Sequence, residues 1–434
     1  MNRILRGIGA NAFGQAVTVL TQLLSVPLFL SAWGAERYGI WIMLITVPVY
    51  LGLLDFGFTG VAANRINMLV AGGKQRDALV CFQSTLGLVL VFTVVFTLPA
   101  VGLTGLFADE VGRWTGTTAT ESMTGMLMIA VQVFGYMVAL LSYGVFWSAG
   151  RYAEAVMWHN AFRLLEFLLL AGGVLYLQGG FLLLLTLLAI SRLLLLAVLY
   201  VRMGVLAPWA RFGLGLFSVA ELKGMRAAAL AFNAFPIGNA LNMQGMTLVA
   251  GLVFGPTFAA FFNAMRTLSR IPFQLGQLIS QALSPEIGRL YGERNATALR
   301  ALYRNAMAAS VALASACGVV LFVLGDWICA HWTHGKLHLL YPDYTLLLAA
   351  AVVNSLWTTA SVMVTSTNNH GRLAGIFMGA NAAGLALAAG GGVVFGETAV
   401  ALGVLLTEAV VLAVLLPQVR GFARHGMPGE LAKS

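Results

Sequence analysis

Charged residues are scarce in this sequence: Asp, Glu, Lys and Arg together account for 9% of its 434 residues, against about a quarter in a soluble domain. Hydrophobic residues account for 59%. A soluble fold cannot bury such a share of apolar side chains, because its surface has to be solvated, whereas a lipid bilayer accommodates it. The composition therefore predicts an all-α polytopic membrane protein.

Cysteines are few, and several catalytic motifs are missing. Cys81, Cys317 and Cys329 have no paired spacing and no CxxC, which argues against a disulfide framework and a structural zinc site. The sequence has no Walker loop, nucleophile elbow or HExxH, so we expect no cofactor and no enzymatic activity. Met1–Arg6 is basic, but the apolar stretch behind it has no small-residue cleavage site and is expected to form the first spanning helix.

Twelve apolar runs are long enough to cross a bilayer, and the cost of unpaired backbone groups in lipid favours a helix for each. The predicted spans lie at about 8–32, 40–62, 78–106, 123–147, 157–177, 181–201, 227–254, 258–284, 302–324, 341–364, 373–395 and 399–417. Pro27, Pro48, Pro99, Pro236 and Pro272 fall within these spans and favour kinks there.

The basic residues indicate the orientation of the spans. With the N-terminus inside, 18 of the 25 Lys and Arg residues fall in cytoplasmic segments, and only Arg37, Arg113 and Lys336 fall outside. Cytoplasmic segments carry such an excess, so both termini are predicted to lie on the cytoplasmic side of the plasma (inner) membrane. We attribute the net charge of +9 to this asymmetry and expect no nucleic-acid partner.

A weak internal repeat divides the spans into two sets of six. Asn11-Ala12-Phe13 opens the first span and Asn233-Ala234-Phe235 opens the seventh, and each span then runs to a turn with a glycine, Gly34 or Gly255. Parallel six-helix halves with the pathway between them are a recurrent transporter plan. The predicted division is an N-terminal lobe at 1–201, a cytoplasmic linker at 202–226, a C-terminal lobe at 227–417 and a cytoplasmic tail at 418–434.

Short motifs resemble those of one transporter family. The turn Gly34-Ala35-Glu36-Arg37-Tyr38-Gly39-Ile40-Trp41 and the helix end Tyr50-Leu51-Gly52-Leu53-Leu54-Asp55-Phe56-Gly57-Phe58 are similar to a G-x-x-x-Y-G-x-W turn followed by an L-L-D-x-G segment. Ala264-Met265-Arg266-Thr267-Leu268 and Ala282-Leu283-Ser284-Pro285 resemble the eighth helix of the same family. The family is the polysaccharide-transporter, or O-antigen flippase (Wzx-like), branch of the multidrug/oligosaccharidyl-lipid/polysaccharide (MOP) exporter superfamily.

This resemblance covers most of residues 1–300 in pattern and implies a MOP-exporter-like fold. It also implies a function, because members of the family move undecaprenyl-diphosphate-linked oligosaccharides from the inner to the outer leaflet during the biosynthesis of surface polysaccharides such as O-antigen. The implied partners are the lipid-linked oligosaccharide, membrane lipids and the glycan polymerase or ligase machinery.

Ionisable side chains inside spans are expensive in a bilayer and therefore mark candidate functional residues. Arg266 and Arg270 lie four apart on one face of the eighth span, where two guanidinium groups would bind a diphosphate. The alternative is that both snorkel to an interface or pair with acids. Arg192 in the sixth span is a further candidate ligand of the substrate, with snorkelling again the alternative. Arg163 and Glu166, three apart in the fifth span, are expected to pair with each other.

Two embedded acids are candidates for cation coupling, since a desolvated carboxylate readily changes its protonation state. Asp55 lies between Gly52 and Gly57 near the inner end of the second span, where a structural role at a helix break is the alternative. Glu408 lies on an apolar stretch of the twelfth span with no basic neighbour in the sequence.

A histidine cluster falls in the outside segment after the ninth span. His331, His334 and His338, together with Cys329, have a spacing that metal sites use. Tryptophans flank the cluster, which is typical of a segment at the membrane interface. We therefore expect an interfacial loop and no metal site here.

Three functions remain open. The leading one is a lipid-linked oligosaccharide flippase that works by alternating access, and the nearest alternative is a cation-coupled multidrug (MATE-like) antiporter. The embedded residues comprise four arginines and three acids, which favours an anionic headgroup over a cationic drug. The third function, a glycan polymerase or ligase, needs a long outside loop, and the longest outside segments predicted here have about 15–18 residues.

Overall fold

The computed structural model describes residues 2–52, 57–232, 234–292, 295–365 and 371–425. Regular secondary structure within these ranges is helical throughout, which confirms the predicted all-α fold class. The helices are α1 (Asn2–Leu44), α2 (Val47–Gly52), α3 (Phe58–Ala71), α4 (Gln75–Leu106), α5 (Ala108–Thr115), α6 (Ala119–Ser148), α7 (Tyr152–Leu175), α8 (Phe181–Leu206), α9 (Val219–Phe232), α10 (Ala234–Ala240), α11 (Met246–Phe254), α12 (Pro256–Ser269), α13 (Ile271–Gly292), α14 (Ala296–Trp332), α15 (Tyr341–Thr365), α16 (Gly371–Gly390), α17 (Gly392–Phe395) and α18 (Thr398–His425). A π-helical segment, Leu241–Gly245, joins α10 to α11.

Eight helical stretches in this part of the chain are long and apolar enough to cross a bilayer. They are Gly9–Gly52, Gln75–Leu106, Ala119–Ser148, Phe181–Leu206, Pro236–Phe254, Ala296–Trp332, Tyr341–Met363 and Thr398–Pro417. Of the other predicted spans, 40–62 falls on the end of α1, on α2 and on the start of α3, with 53–56 outside the described residues. The span 157–177 corresponds to α7, which carries two charged residues in its middle, and 373–395 is divided between α16 and α17.

The predicted span 258–284 is divided next to a proline. α12 ends at Ser269 and α13 begins at Ile271, one residue before Pro272. Proline lacks the N–H that an α-helix needs and its ring clashes with the preceding turn, so it favours a break or a kink and is best tolerated in the first turn of a helix. Arg270 therefore lies at a junction between two helices.

The chain divides into two compact units, Met1–Pro236 and Ile237–Ser434. In the first unit, α6 packs against α3, α4 and α8, and α1 packs against α7. In the second unit, α18 packs against α15 and α16, and α13 packs against α14 and α15. Each unit thus has a core built from its own helices, in the two-half architecture that the sequence predicts.

The two predicted turn glycines share a backbone conformation. Gly34 within α1 has φ 75° and ψ 176°, and Gly255 between α11 and α12 has φ 96° and ψ 161°. This conformational region is open essentially to glycine alone. The weak repeat thus has a structural counterpart at these turns, whereas Asn233, which opens its second copy, lies outside the described residues.

Aromatic rings of the Gly34–Trp41 turn pack into the core of the first unit. Tyr38 and Trp41 are buried, and their rings stack on Phe29 with centroids 5.6 and 5.8 Å away. Trp41 also stacks on Phe181 at the start of α8, at 6.4 Å. Offset aromatic pairs add to the stability that burial alone provides. These positions of the motif therefore join α1 to α8.

The segment between α8 and α9 is fixed to the first unit by polar contacts with α4. Buried Gln83 donates from Nε2 to the carbonyl of Arg211 at 3.1 Å and accepts at Oε1 from the N–H of Leu216 at 2.8 Å. The hydroxyl of Ser84 accepts from the N–H of Ser218 at 2.9 Å. Because these contacts satisfy backbone groups that form no helix, this part of the predicted linker is docked on α4.

Candidate functional site

The π-helical segment of the second unit anchors a buried arginine. Arg266 of α12 is 8% exposed and donates from Nη1 to the carbonyls of Asn242 and Met243, at 3.4 and 2.7 Å. Its Nη2 donates to the hydroxyl of Thr247 at 2.7 Å, and its guanidinium lies over the ring of Phe262 at 5.0 Å. A π-helical turn is wider than an α-helical one and often occurs at functional sites. Here its carbonyl groups hold the guanidinium of Arg266 in place.

A cavity of about 80 Å³ lies beside Arg266, within the second unit. Its wall combines charged, amide and aromatic side chains, among them Arg266, Arg270, Asn354, Phe377 and Glu408. One water needs roughly 10–15 Å³ of such space, so the cavity has room for several waters or a small ionic group. The structure thus brings the two predicted arginines and the predicted acid of the twelfth span to one place.

The carboxylate of Glu408 is bound by neutral donors rather than by an arginine. Glu408 is 3% exposed, and its Oε2 accepts from Trp357 Nε1 at 2.6 Å and from Asn354 Nδ2 at 2.8 Å. Its Oε1 accepts from Asn242 Nδ2 at 3.3 Å. Asn354 is itself oriented, since its Oδ1 accepts from the hydroxyl of Thr358 at 3.0 Å. Short bonds hold Oε2 firmly, whereas Oε1 has one long contact.

Arg270 differs from Arg266 in having its polar atoms available. Its backbone N–H bonds to the carbonyl of Arg266 at 3.2 Å, which keeps the two side chains one helical turn apart, as the sequence predicts. Its guanidinium lies over the ring of Phe273 at 5.3 Å. Toward the rest of the described chain, the Arg270 side chain makes no hydrogen bond or ion pair. It is therefore the cationic group of the cavity that is open to a ligand.

The first unit holds a second cluster of embedded charges, and its pairing differs from the prediction. Arg192 forms an ion pair with Glu166, with Nη2 and Oε1 2.8 Å apart. Arg163, predicted to pair with Glu166, instead donates from Nη1 to the hydroxyl of Thr18 at 2.8 Å. The prediction was wrong because it considered neighbours along one helix, whereas α8 brings Arg192 to the same carboxylate. Arg192 thus pairs with an acid in its own unit.

The two other candidates are Asp55 and the histidine cluster. Asp55 lies outside the described residues. His331 contacts the carbonyl of Trp327 through Nδ1 at 2.8 Å, and its ring lies 4.4 Å from the ring of Trp327. Within the ranges that the structure describes, no group of three His, Cys, Asp or Glu side chains is arranged to hold a metal ion.

The sequence reasoning missed the neutral side chains of the cavity. Asn242, Asn354 and Trp357 hold Glu408, but attention to ionisable residues alone passes over them. A usable signal was present for the asparagines, since a buried amide within an apolar span needs a hydrogen-bond partner.

Ion pairs also join helices at segments that are predicted to lie outside the bilayer. Arg65 of α3 bonds to Glu221 of α9 at 2.5 Å, and this hydrogen bond raises the pKa of Arg65. Glu154 bonds to Arg151 at 2.8 Å and to Arg202 of α8 at 2.6 Å. Burial raises the pKa of Glu154, but the hydrogen bonds and charges of Arg202 and Arg151 outweigh it and bring the pKa below its ordinary value.

The solved structures that this chain resembles are membrane transporters. No protein-family model matches the sequence, and no curated protein matches it. An inward-facing multidrug resistance MATE family transporter of the MOP superfamily has a TM-score of 0.75 at 15% identity, over 93% of this chain and 94% of that one. The lipid II flippase MurJ, in an inward closed conformation, has a TM-score of 0.70 at 14% identity, over 96% and 87%. This chain has the fold of the MOP exporters.

That fold confirms the MOP-exporter-like, two-half architecture and makes the chain a multi-pass membrane protein. A MATE structure in complex with MaD3S gives the same result, with a TM-score of 0.66 at 16% identity over 100% of this chain and 97% of that one. Identities this low show a common fold alone. Membership of the O-antigen flippase branch therefore stays a prediction, and the substrate has to be argued from the chemistry of the cavity.

Proposed function

We propose that this chain is a flippase that moves an undecaprenyl-diphosphate-linked oligosaccharide across the plasma (inner) membrane by alternating access, for surface polysaccharide biosynthesis. The observation that carries the proposal is the cavity of the second unit, where the Arg270 guanidinium has no hydrogen-bond or ion-pair partner among the described residues. A guanidinium is always charged and binds phosphate oxygens through paired N–H groups. The diphosphate of a lipid-linked glycan supplies such oxygens.

The depth of the cavity supports this proposal. Arg266 and Glu408 each lie ten residues after the first residue of their helices, α12 and α18. At 1.5 Å per residue this is about 15 Å, or half of a hydrocarbon core that is about 30 Å thick. A cation at that depth is expensive unless it has a counter-ion. An anionic headgroup in transit would be that counter-ion, while its polyprenyl tail remains in the lipid.

The orientation that we propose places both termini in the cytoplasm, as the Lys and Arg distribution favours. It is tested in intact cells with single cysteines in a chain whose own cysteines are replaced by serine. A cysteine at Glu110 should react with an impermeant maleimide added outside, and one at Lys74 should not. Labelling at Lys74 would contradict the topology.

Glu408 is the candidate for cation coupling that the cavity supports, because its Oε1 has a single long contact and can receive a proton or a monovalent cation. Asp55 remains a second candidate from the sequence. The proposal predicts that Glu408→Gln removes the dependence of transport on a cation gradient. A variant with unchanged gradient dependence would return Glu408 to a purely structural role.

A second candidate function is a cation-coupled multidrug exporter. The TM-score of 0.75 with a MATE transporter favours it, as do the aromatic rings of Phe273 and Phe377 beside the carboxylate of Glu408. Acids and aromatic rings attract cationic drugs. Against it stands the charge of the cavity, whose wall carries two arginines and one acid.

The two functions separate in proteoliposomes that contain the purified chain. Under the flippase proposal, a defined lipid-linked oligosaccharide crosses the bilayer and a cationic dye does not. Deleting the gene should likewise remove a surface glycan, with its lipid-linked precursor accumulating on the inner leaflet and little change in drug sensitivity. Dye transport without oligosaccharide transport would refute the flippase proposal in favour of the exporter.

A further inference from the structure

One cavity of the second unit holds both a carboxylate with an available oxygen and an available guanidinium. We propose that binding of a proton or monovalent cation at Glu408 and binding of a phosphate-type anion at Arg270 strengthen each other. This inference rests on the proposed function in taking the anion to be the headgroup of the substrate. It adds the sign of the coupling between the cation and that substrate.

The carboxylate of Glu408 is fixed in position. Trp357 and Asn354 hold Oε2 of Glu408 with bonds of 2.6 and 2.8 Å, so the side chain cannot turn toward Arg270 without losing both. These donors are neutral and leave the negative charge in place. Glu408 thus acts on the cavity as a stationary negative charge until a cation binds at Oε1.

The charge around the cavity depends on whether Glu408 is ionised. The charged side chains of its wall are Arg266, Arg270 and Glu408. Arg266 is committed to the carbonyls of the π-helical segment and to Thr247, so Arg270 alone can change its partner. With Glu408 ionised, its field offsets the attraction of Arg270 for an incoming anion. Once Glu408 is neutralised, two arginines remain and the anion is held more tightly.

The effect of the cation on the anion and the effect of the anion on the cation are equal. If neutralising Glu408 raises the affinity for the anion, a bound anion raises the affinity of Glu408 for the cation by the same factor. Cation and anionic substrate are therefore expected to bind the cavity together. A cationic substrate would show the opposite behaviour, because it would compete with the coupling cation for Glu408.

The test measures the binding of radiolabelled sulfate to the purified chain in detergent by a scintillation proximity assay. Sulfate keeps both charges between about pH 8 and about pH 5, so a change of pH acts on the protein. Ionic strength is held constant with a large organic cation while the sodium concentration is varied. The variants are Glu408→Gln, Arg270→Gln and their combination, with Glu397→Gln, an exposed acid of the same unit, as the matched control.

The wild type should bind sulfate more tightly on acidification or on addition of sodium. Glu408→Gln should bind about tenfold more tightly at pH 8 and respond to neither, within the roughly 5- to 150-fold range of such couplings. Arg270→Gln should abolish binding in both backgrounds, and Glu397→Gln should match the wild type. The inference is overturned if Glu408→Gln binds no more tightly than the wild type, or if the wild type responds to neither pH nor sodium. It is equally overturned if sulfate binds to neither protein, or if Arg270→Gln retains binding.

Failure of the proposed function would look different. A chain that shows this coupling with sulfate but moves no lipid-linked oligosaccharide in proteoliposomes would refute the proposed substrate and leave the coupling standing. The converse result is a chain that moves the oligosaccharide but binds sulfate with the same affinity whether or not Glu408 is neutralised. That result would refute the coupling and leave the proposed substrate standing.

Discussion

The two units treat the same residue types in different ways. In the first, the carboxylate of Glu166 is bonded directly to the guanidinium of Arg192 at 2.8 Å. In the second, Glu408 is held by neutral donors, and Arg270, beside a cavity of about 80 Å³, has no hydrogen-bond or ion-pair partner in the described part of the chain. A direct pair neutralises both charges and leaves little for a ligand. A separated pair keeps both charges available, and this separation is what marks the second unit as the candidate site.

The largest expected effect concerns the direct pair. Arg192→Met should lower the free energy of unfolding by about 3–5 kcal/mol, because it removes the ion-pair partner of the largely buried carboxylate of Glu166. Thermal unfolding in detergent measures this loss. Combining it with Glu166→Met should restore most of the stability, since replacing both partners removes the unpaired charge. A double variant as unstable as the single one would contradict a structural role for the pair.

The next prediction separates charged from neutral hydrogen bonds in the two units. Trp357→Phe removes the N–H that binds the Glu408 carboxylate at 2.6 Å and should cost about 1.5–3 kcal/mol. Tyr143→Phe removes a hydroxyl that contacts His159 at 3.3 Å in the first unit and should cost only about 0.5–1.5 kcal/mol. Equal losses in thermal unfolding would indicate that Glu408 is not ionised in the folded protein.

The two units are alike at their glycine turns, and a third prediction tests this similarity. Gly34→Ala and Gly255→Ala should each cost about 1–3 kcal/mol, because both glycines adopt a conformation that other residues avoid. Gly102→Ala is the matched control, since no atom lies within 4 Å of an added Cβ and the residue is helical. The measurement is the unfolding midpoint of each of the three variants. If only one of the two turn variants loses stability, the two turns are not equivalent.

The smallest expected effect is the pH dependence of an ion pair at the end of α7. The pKa of Glu154 is lowered by Arg202 and Arg151, so its contribution to stability is present above the unfolded pKa of about 4.3 and is lost as the pH falls through the folded value. Glu154→Gln should therefore lower the free energy of unfolding by about 0.2–1 kcal/mol near neutral pH and leave it unchanged at acidic pH. Glu110→Gln, in the exposed pair with Arg113, is the control and should change little at either pH.

Composition and hydrophobic runs predicted the helical, two-half membrane fold, because the bilayer imposes these features on almost any sequence that spans it. The glycine turns were also readable, since Gly34 and Gly255 fall between apolar runs. The break at Arg270 follows from Pro272, where the sequence predicts a kink. The π-helical segment was not readable, because its carbonyls at Asn242 and Met243 meet Arg266 from another helix.

The charged members of the site were predictable, but its neutral members and its pairings were not. Arg266, Arg270 and Glu408 stood out as embedded charges, and the structure brings all three to one cavity. Arg192 looked equivalent to them in the sequence, yet α7 supplies an acid for it. Which charge is free depends on contacts between helices, and these have no signature in the spacing along one helix.

The central claim is that Arg270 receives an anionic headgroup, and the rate of oligosaccharide translocation in proteoliposomes tests it most directly. Arg270→Gln should lower that rate about 10- to 100-fold with an unchanged unfolding midpoint, because a charged hydrogen bond is worth about 1.5–3 kcal/mol. Arg270→Lys should retain part of the activity, since the charge survives and the paired N–H groups do not. The double variant of Arg192 and Glu166 should translocate at the wild-type rate. Translocation by Arg270→Gln at the wild-type rate would contradict the account.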